Sequence, residues 1–317
     1  MPAIAGFGPV VIPLMTQMGY DKRFAIGLLV ASAALGGLIP PSVPLILYGY
    51  IAGESVRTLY SAAFIPGFFL AFLLCVTVFF WSRRGYYTRP PSATWRERWD
   101  ALKKGWPVML MPVVILVPLY AGVVTATETS AIAAAYSLLL GLVVYRELTW
   151  GKILHSFRWT VQICGMIFFI IIAATLLNKA LVAIRVPFEL SEGLSSAGLS
   201  AGIFMLVIII AYLLMGMFLD PTAILLISVP ILLESVTGLG ISPVVYGIVV
   251  TVAVQVACMT PPYGIDLFAA VGILKEPFHI VARGTFLFYP AMMGGLIILA
   301  YVPDITFFLP RLFGLNV

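Results

Sequence analysis

VQVACMTPPYGIDLFAAVGIL, residues 254–274, is an apolar run broken at its centre by Thr260-Pro261-Pro262-Tyr263-Gly264. Two consecutive prolines remove two backbone donors and bar the α region to the residue before each. The stretch from Pro243 to Leu274 is therefore predicted to be a broken helix. Offset by 221 residues, the same feature recurs. Pro40 falls on Pro261, Pro41 on Pro262, Pro9 on Pro230 and Gly19 on Gly240. After a one-residue gap, Ile51-Ala-Gly-Glu54 meets Ile273-Leu-Lys-Glu276. The earlier copy interrupts the run from Phe24 to Tyr50 with Gly36-Gly37-Leu38-Ile39-Pro40-Pro41-Ser42.

The surroundings of these breaks are those of a membrane protein. Of the 317 residues 62% are hydrophobic and 10% charged, where soluble proteins carry about 25% charged residues. Mean hydropathy is +1.10. A soluble domain of this length cannot hide that much apolar surface, so the chain is read as a polytopic membrane protein. That excludes a soluble enzyme, a nucleic-acid binder and a disulfide scaffold. Cys75, Cys164 and Cys258 sit in apolar runs without metal spacing and are expected to be small core residues. The first apolar stretch is not expected to be a signal peptide, because no basic segment precedes it.

Apolar runs long enough to span cover Ala62–Trp81, Val108–Thr125, Trp159–Leu177 and Gly284–Val302, with Thr129–Tyr145 slightly short. Residues 202–233 are read differently. Two arms, 202–215 and 222–233, flank Gly216-Met217-Phe218-Leu219-Asp220-Pro221, and each is too short to cross a core of about 30 Å. A re-entrant hairpin follows, its tip inside the membrane, where irregular backbone survives only within protein or beside a water-filled cavity. Lys/Arg bias sets the topology. With residues 82–106 in the cytoplasm, 14 of the 18 basic residues fall inside. Charge alone does not separate a hairpin from two full spans. Residues 182–200, with Arg185, Glu189 and Glu192, are expected along the outer surface. The polar stretch 82–106 interleaves Trp95, Trp99 and Trp106 with seven Lys/Arg. It is either a lipid-binding amphipathic helix or a solvated topogenic loop.

This threading sends the first broken helix outward and the second inward, so the two copies are inverted. Inverted repeats with discontinuous helices are the architecture of secondary transporters. Residues 1–81 hold the remainder of the first repeat: hairpin return arm, broken helix and spanning helix. Residues 82–106 form a cytoplasmic basic linker. Residues 107–317 hold the second repeat: three helices, the hairpin 202–233, the broken helix 243–274 and a final helix 284–302. The first hairpin's tip and entering arm have no counterpart after Met1. The chain is therefore expected to be the C-terminal portion of a longer transporter, from a truncated gene model or a split gene.

The candidate binding residues lie at the breaks and the tip. Pro-Pro frees carbonyls that a helix would engage, and Ser42 and Thr260 add hydroxyl oxygens. Several such oxygens suit a hard cation such as Na⁺, and helix N-termini beside them suit a carboxylate. Asp220 is either a cap for the arm that starts at Pro221 or a cap that also shapes the site. Asp266 is either a site carboxylate or one that opens onto a cytoplasmic vestibule. Glu128 is expected to open a helix capped by Thr125 or Thr127. Enzyme motifs are missing, and His155 and His279 fall in predicted cytoplasmic loops. An intramembrane protease and a structural or assembly subunit are weaker alternatives.

At these motifs the chain resembles the large membrane subunit of TRAP (tripartite ATP-independent periplasmic, DctM-like) transporters. The matching stretches are GLIPPSVPLILYG at 37–49, SAAFIPGFF at 61–69, TATETSAIAAAYSLLLGLVVYRELTW at 125–150, MGMFLDPTAILLISVPILL at 215–233 and MTPPYGIDLF at 259–268. The resemblance implies an all-α, elevator-type, multi-pass carrier of the bacterial inner membrane. It implies uptake of C4-dicarboxylates or related organic acids driven by Na⁺, with no other cofactor. The implied partners are a small membrane subunit (DctQ-like), a periplasmic solute-binding protein (DctP-like) and the bilayer, and no nucleic acid. It also implies that Gly37, Ile39, Pro40, Pro41 and Ser42, with Gly216, Asp220 and Pro221, line the Na⁺ and substrate sites. Thr260, Pro261, Pro262, Gly264 and Asp266 complete the set, Na⁺ lying near Asp220, Thr260 and Ser42, and Thr127 and Glu128 are further candidates. The family usually has Asn where Asp266 stands and Pro where Ala126 stands. The alternatives are a proton-coupled carboxylate carrier working through Asp220, Asp266 or Glu128, and an inactive fragment or assembly subunit.

Overall fold

The computed structural model describes residues 2–83, 92–196 and 198–315. Met1, the expected start of the return arm, and 84–91, with Arg84 and Arg89 of the basic linker, lie outside the described residues. Among the described residues every regular element is helical. In order they are α1 (Pro2–Gln17), α2 (Lys22–Leu35), α3 (Val43–Ala52), α4 (Val56–Ser82), α5 (Trp95–Met109), α6 (Met111–Tyr120), α7 (Ala126–Leu139), α8 (Trp150–Ala183), α9 (Val186–Ser196), α10 (Ala201–Gly216), α11 (Pro221–Gly238), α12 (Pro243–Cys258), α13 (Ile265–Leu274), α14 (Phe278–Phe286), α15 (Tyr289–Tyr301) and α16 (Asp304–Leu312). One compact unit comprises Met1–Arg89 with Ala174–Val317, the other Pro90–Ala173.

In the first unit α12 is the buried axis. Nearly every residue from Val244 to Cys258 is buried, as expected of a helix apolar on all sides. Around it pack α10, α15, α4 and the halves of both broken helices. Glycines set the closest approaches. An added Cβ on Gly27 of α2 would lie 2.0 Å from the Gly284 carbonyl oxygen of α14, and one on Gly284 would lie 2.1 Å from the Arg23 carbonyl oxygen. Small residues of this kind let helix backbones touch in a membrane. Nearby, Lys22 pairs with Glu276. Asp21 caps α2, accepting from the Arg23 amide at 2.7 Å.

A buried hydroxyl network ties the hairpin arms to this axis. The Tyr212 hydroxyl of α10 lies 2.7 Å from Ser228 Oγ on α11 and 2.8 Å from the Tyr246 hydroxyl on α12. Ser228 Oγ donates to the Ile224 carbonyl, and Tyr48 of α3 donates to the Pro243 carbonyl. Tyr48, Tyr212 and Tyr246 are fully buried. Tyr212→Phe keeps the ring, strands the Tyr246 hydroxyl and leaves Ser228 with its bond to Ile224 alone. It is expected to cost about 1–2 kcal/mol, given how hydrogen bonds are discounted in membranes. Unfolding of the purified chain in detergent checks this, and a Phe variant as stable as the native chain would contradict it.

In the second unit two helix starts carry capping boxes. Thr94 and Glu97 cap α5, and Thr125 and Glu128 cap α7. α7 passes into a π-helical turn at Leu140–Val144. Tyr136 donates to the Pro107 carbonyl at 2.6 Å and Tyr145 to the Lys104 carbonyl at 2.9 Å, joining α7 and its π turn to α5.

Several sequence expectations are corrected. The expected span Gly284–Val302 is a bent pair, α14 and α15, at 50°. Pro290 at the start of α15 has no N–H for the carbonyl four residues back. The expected span Val108–Thr125 is also divided: α5 and α6 meet at 42°, and Pro112 removes the bond to Val108. α6 ends at Tyr120, because Gly122 turns at a positive φ of 72°. The apolar run Trp159–Leu177 is the middle of the 34-residue α8. The hairpin arms are longer than read. At 1.5 Å per residue α10 rises about 24 Å and α11 about 27 Å, so α11 reaches the length of a span and arm length no longer decides its path. His155 and His279 stand on α8 and α14 rather than in loops. Cys258 is buried, but Cys75 and Cys164 are exposed, because apolar residues in a membrane helix also face outward.

Candidate functional site

Both breaks form where the prolines demand. α2 stops at Leu35 and α3 begins at Val43; α12 stops at Cys258 and α13 begins at Ile265. Pro40-Pro41 and Pro261-Pro262 are both cis. Before each pair the helix unwinds through short i→i+3 turns: Leu38 N–H donates to the Leu35 carbonyl, and Thr260 N–H to the Ala257 carbonyl. After each, a new N-terminus opens.

The first break is organised by Ser42, 1% exposed. Its hydroxyl donates to the Gly37 carbonyl and accepts from the Leu45 amide. Its amide donates to the Tyr60 hydroxyl at 3.0 Å, which in turn donates to the Ser42 carbonyl at 3.2 Å. Ile39 packs on Gly67 of α4, where a Cβ would lie 2.6 Å from Cγ1. In the second break Thr260, 5% exposed, donates its hydroxyl proton to the Val256 carbonyl at 2.7 Å. Gly264 turns at φ +43°, and a Cβ there would lie 2.8 Å from the Thr260 carbonyl oxygen and 2.9 Å from that of Cys258. Asp266, 6% exposed, follows in the first turn of α13.

The hairpin tip is the four residues between α10 and α11. Asp220 caps α11, accepting from the Thr222 amide at 2.8 Å, with Pro221 in the first helical position. The cap is thus present, and Asp220 remains only partly buried.

The C-terminal end of α12 joins all three elements. A Cβ on Gly216 would lie 2.4 Å from the Ala257 Cβ, so the tip rests on the last turn of α12. A Cβ on Gly37 would lie 1.1 Å from Gln255 Nε2, so that amide occupies the space in front of the first break. Gly264 of the second break lies against the Cys258 carbonyl at the end of α12. Of the predicted site residues, those at 37–42, 216–221 and 260–266 therefore share one neighbourhood. Thr127 and Glu128 lie in the other compact unit. There the Glu128 carboxylate accepts from the Thr125 amide at 2.8 Å and its hydroxyl at 2.9 Å, and Thr125, not Thr127, is the cap.

Two residues of this neighbourhood were not singled out in the sequence. Gln255 is the only amide in α12, and Thr251 lies one turn before it. Thr251 is 1% exposed, and its hydroxyl is without a hydrogen-bond partner among the described residues. A polar side chain inside a Val/Ala helix was the available signal.

Chemically the neighbourhood offers oxygens and helix ends. The Thr260 hydroxyl gives its proton away, leaving both lone pairs. Ser42 gives its proton to Gly37 and keeps one lone pair beyond its cap bond. The ends of α2 and α12 present carbonyls, and the starts of α3, α11 and α13 present amides. Cations suit the former and anions the latter. Among the described residues there is no group of three His, Cys, Asp or Glu side chains to hold a transition metal.

Residues 1–305 match the family described as "Tripartite ATP-independent periplasmic transporter, DctM component". The chain is 32% identical, over 98% of its length, to the C4-dicarboxylate TRAP transporter large permease protein DctM of Rhodobacter capsulatus, covering 74% of that protein. It is 30% identical over 97% of its length to the sialic acid TRAP transporter large permease protein SiaM of Vibrio cholerae, covering 72%. It is 29% identical over 96% of its length to the ectoine/5-hydroxyectoine TRAP transporter large permease protein UehC of Ruegeria pomeroyi, covering 72%.

Proposed function

Because the chain belongs to the DctM family of tripartite ATP-independent periplasmic transporters, we propose that it is the Na⁺-coupled permease component for a carboxylate-bearing solute. The observation that carries this is the meeting of both Pro-Pro breaks and the hairpin tip at the end of α12. Hydroxyl and carbonyl oxygens of Ser42, Thr260 and the freed backbone would take up Na⁺, with Asp220 supplying charge nearby. The N-termini of α3, α11 and α13 would receive the solute's carboxylate. A periplasmic binding protein would deliver the solute, and a small membrane subunit would complete the assembly in the inner membrane. Inward movement of the loaded unit as an elevator would then release both.

Relatives are named for C4-dicarboxylates, sialic acid and ectoine, which carry a carboxylate, and for isethionate, which carries a sulfonate instead. What these solutes share is an anionic oxyacid group that helix N-termini can receive; a carboxylate is the commoner form, and selectivity is assigned to the binding protein. A second reading, proton coupling, is favoured by one observation: Asp266 is a buried carboxylate at the second break.

Uptake into proteoliposomes separates the two. Reconstituted with its partners, the chain is expected to accumulate a C4-dicarboxylate under an inward Na⁺ gradient and not under an equal K⁺ gradient. Uptake that follows a pH gradient and ignores Na⁺ would replace the Na⁺ reading with the proton one.

A further inference from the structure

Helix α5 carries a pattern that transport chemistry does not use. Trp95, Trp99, Leu102, Trp106 and Met109 recur at spacings of four, three, four and three, which lines one helix face. All five are exposed, Trp95 at 82% and Trp106 at 52%. Arg96, Arg98, Lys103 and Lys104 share the helix with only two carboxylates. Glu97 is held by the cap, accepting from the Thr94 amide at 2.7 Å and hydroxyl at 2.9 Å. That leaves Asp100 as the single remaining acid.

Two of the basic side chains lie over the tryptophans. The Arg98 guanidinium sits 5.4 Å from the Trp95 ring centroid and the Lys103 ammonium 5.8 Å from that of Trp99. Among the described residues none of the four basic side chains forms an ion pair. A solvated helix has no use for three exposed tryptophans on one face. A protein-facing apolar stripe is not ordinarily flanked by three unpaired cations. Tryptophan at the headgroup level beside Lys and Arg is the pattern of a helix lying in the interface of an anionic membrane. The next helix, α6, is apolar on every side and departs at 42°.

We propose that α5 is an interfacial helix that binds acidic phospholipid. Its Trp95–Trp99–Trp106 face seats at the boundary of headgroup and acyl chain. Arg96, Arg98 and Lys103, which flank that face, hold lipid phosphates. This reading is independent of the coupling ion and the solute.

The test uses the full chain with Trp81, Trp150 and Trp159 replaced by phenylalanine, which leaves the three α5 tryptophans as fluorophores. It is placed in vesicles that mix phosphatidylcholine and phosphatidylglycerol, with brominated acyl chains on one lipid or the other. Bromine quenches nearby tryptophan fluorescence. Brominated phosphatidylglycerol is expected to quench more than brominated phosphatidylcholine at equal mole fraction, and the excess is expected to fall in high salt. Trp99→Phe should lower the excess. Neutralising Lys103 and Arg98 to Gln should cut the local enrichment of the acidic lipid by roughly fivefold for each cation lost. Equal quenching by the two lipids in this background overturns the proposal and leaves a neutral interfacial helix. Absence of quenching by either overturns it in favour of a protein contact. Both outcomes are read before any α5 residue is changed, so an α5 variant that fails to fold does not obscure them.

Discussion

Gly27→Ala is expected to lower the stability of the purified chain by about 3 kcal/mol, the upper end of what overpacking ordinarily costs. The reason is the rigidity of what the new methyl would meet. Its Cβ would lie 2.0 Å from the Gly284 carbonyl oxygen, 2.3 Å from the carbonyl carbon and 2.9 Å from the Thr285 amide nitrogen. All three are backbone atoms of α14, so no side chain can swing aside. Either α2 and α14 separate along their whole contact, or one of them bends. Separation would also loosen the pairing of Lys22 with Glu276. Gly284→Ala meets the mirror problem at the Arg23 carbonyl, so the two substitutions share one contact and should not add. Gly272→Ala and Gly294→Ala are the controls. Each sits in a helix with nothing within 4 Å of the added methyl, and alanine's better helix propensity leaves them neutral or slightly stabilising. Thermal unfolding in detergent compares the four. If Gly27→Ala melts with Gly294→Ala, the close helix contact is not a determinant of stability.

The sequence made the breaks, the tip and the class of the molecule legible because proline and charge act locally. Pro40-Pro41 and Pro261-Pro262 end helices wherever they stand, and few charges among 317 residues leave only a bilayer as solvent. What it did not show was set by contacts distant along the chain. The bend between α14 and α15 was hidden because Pro290 lies in an otherwise unbroken apolar run. The Gln255 amide becomes meaningful only when α12 is packed against Gly37, and no spacing of residues announces that. The tyrosine network is of the same kind, since Tyr48, Tyr212 and Tyr246 come from three separate helices. Glu128 shows the opposite case. Its role is fixed by Thr125, three residues away, and the local sequence already narrowed the cap to Thr125 or Thr127.

Replacing K⁺ by Na⁺ at equal ionic strength is expected to stabilise the native chain by RT ln(1 + [Na⁺]/Kd), about 2.7 kcal/mol once Na⁺ is a hundredfold above Kd. The variants decide which oxygens are responsible. Thr260→Ala removes a hydroxyl whose proton goes to Val256. One net hydrogen bond of that kind is a cost of about 1 kcal/mol, so stability in K⁺ should fall little while the Na⁺ increment disappears. Ser42→Ala is a poorer probe, because the same hydroxyl caps Leu45 and its loss confounds helix and site. Asp220 separates cap from charge. Asparagine caps a helix about as well as aspartate, so Asp220→Asn keeps the bond from the Thr222 amide and removes only the charge. If Asp220 is a cap alone, its Asn variant matches the native chain in both salts. If it also serves the cation, stability in K⁺ is retained and the Na⁺ increment is largely lost, and this is the expected result. Equal stability of the native chain in the two salts would remove Na⁺ from the account. If Asp266→Asn then also abolished pH-driven uptake, the coupling would belong to the second break rather than to the hairpin tip.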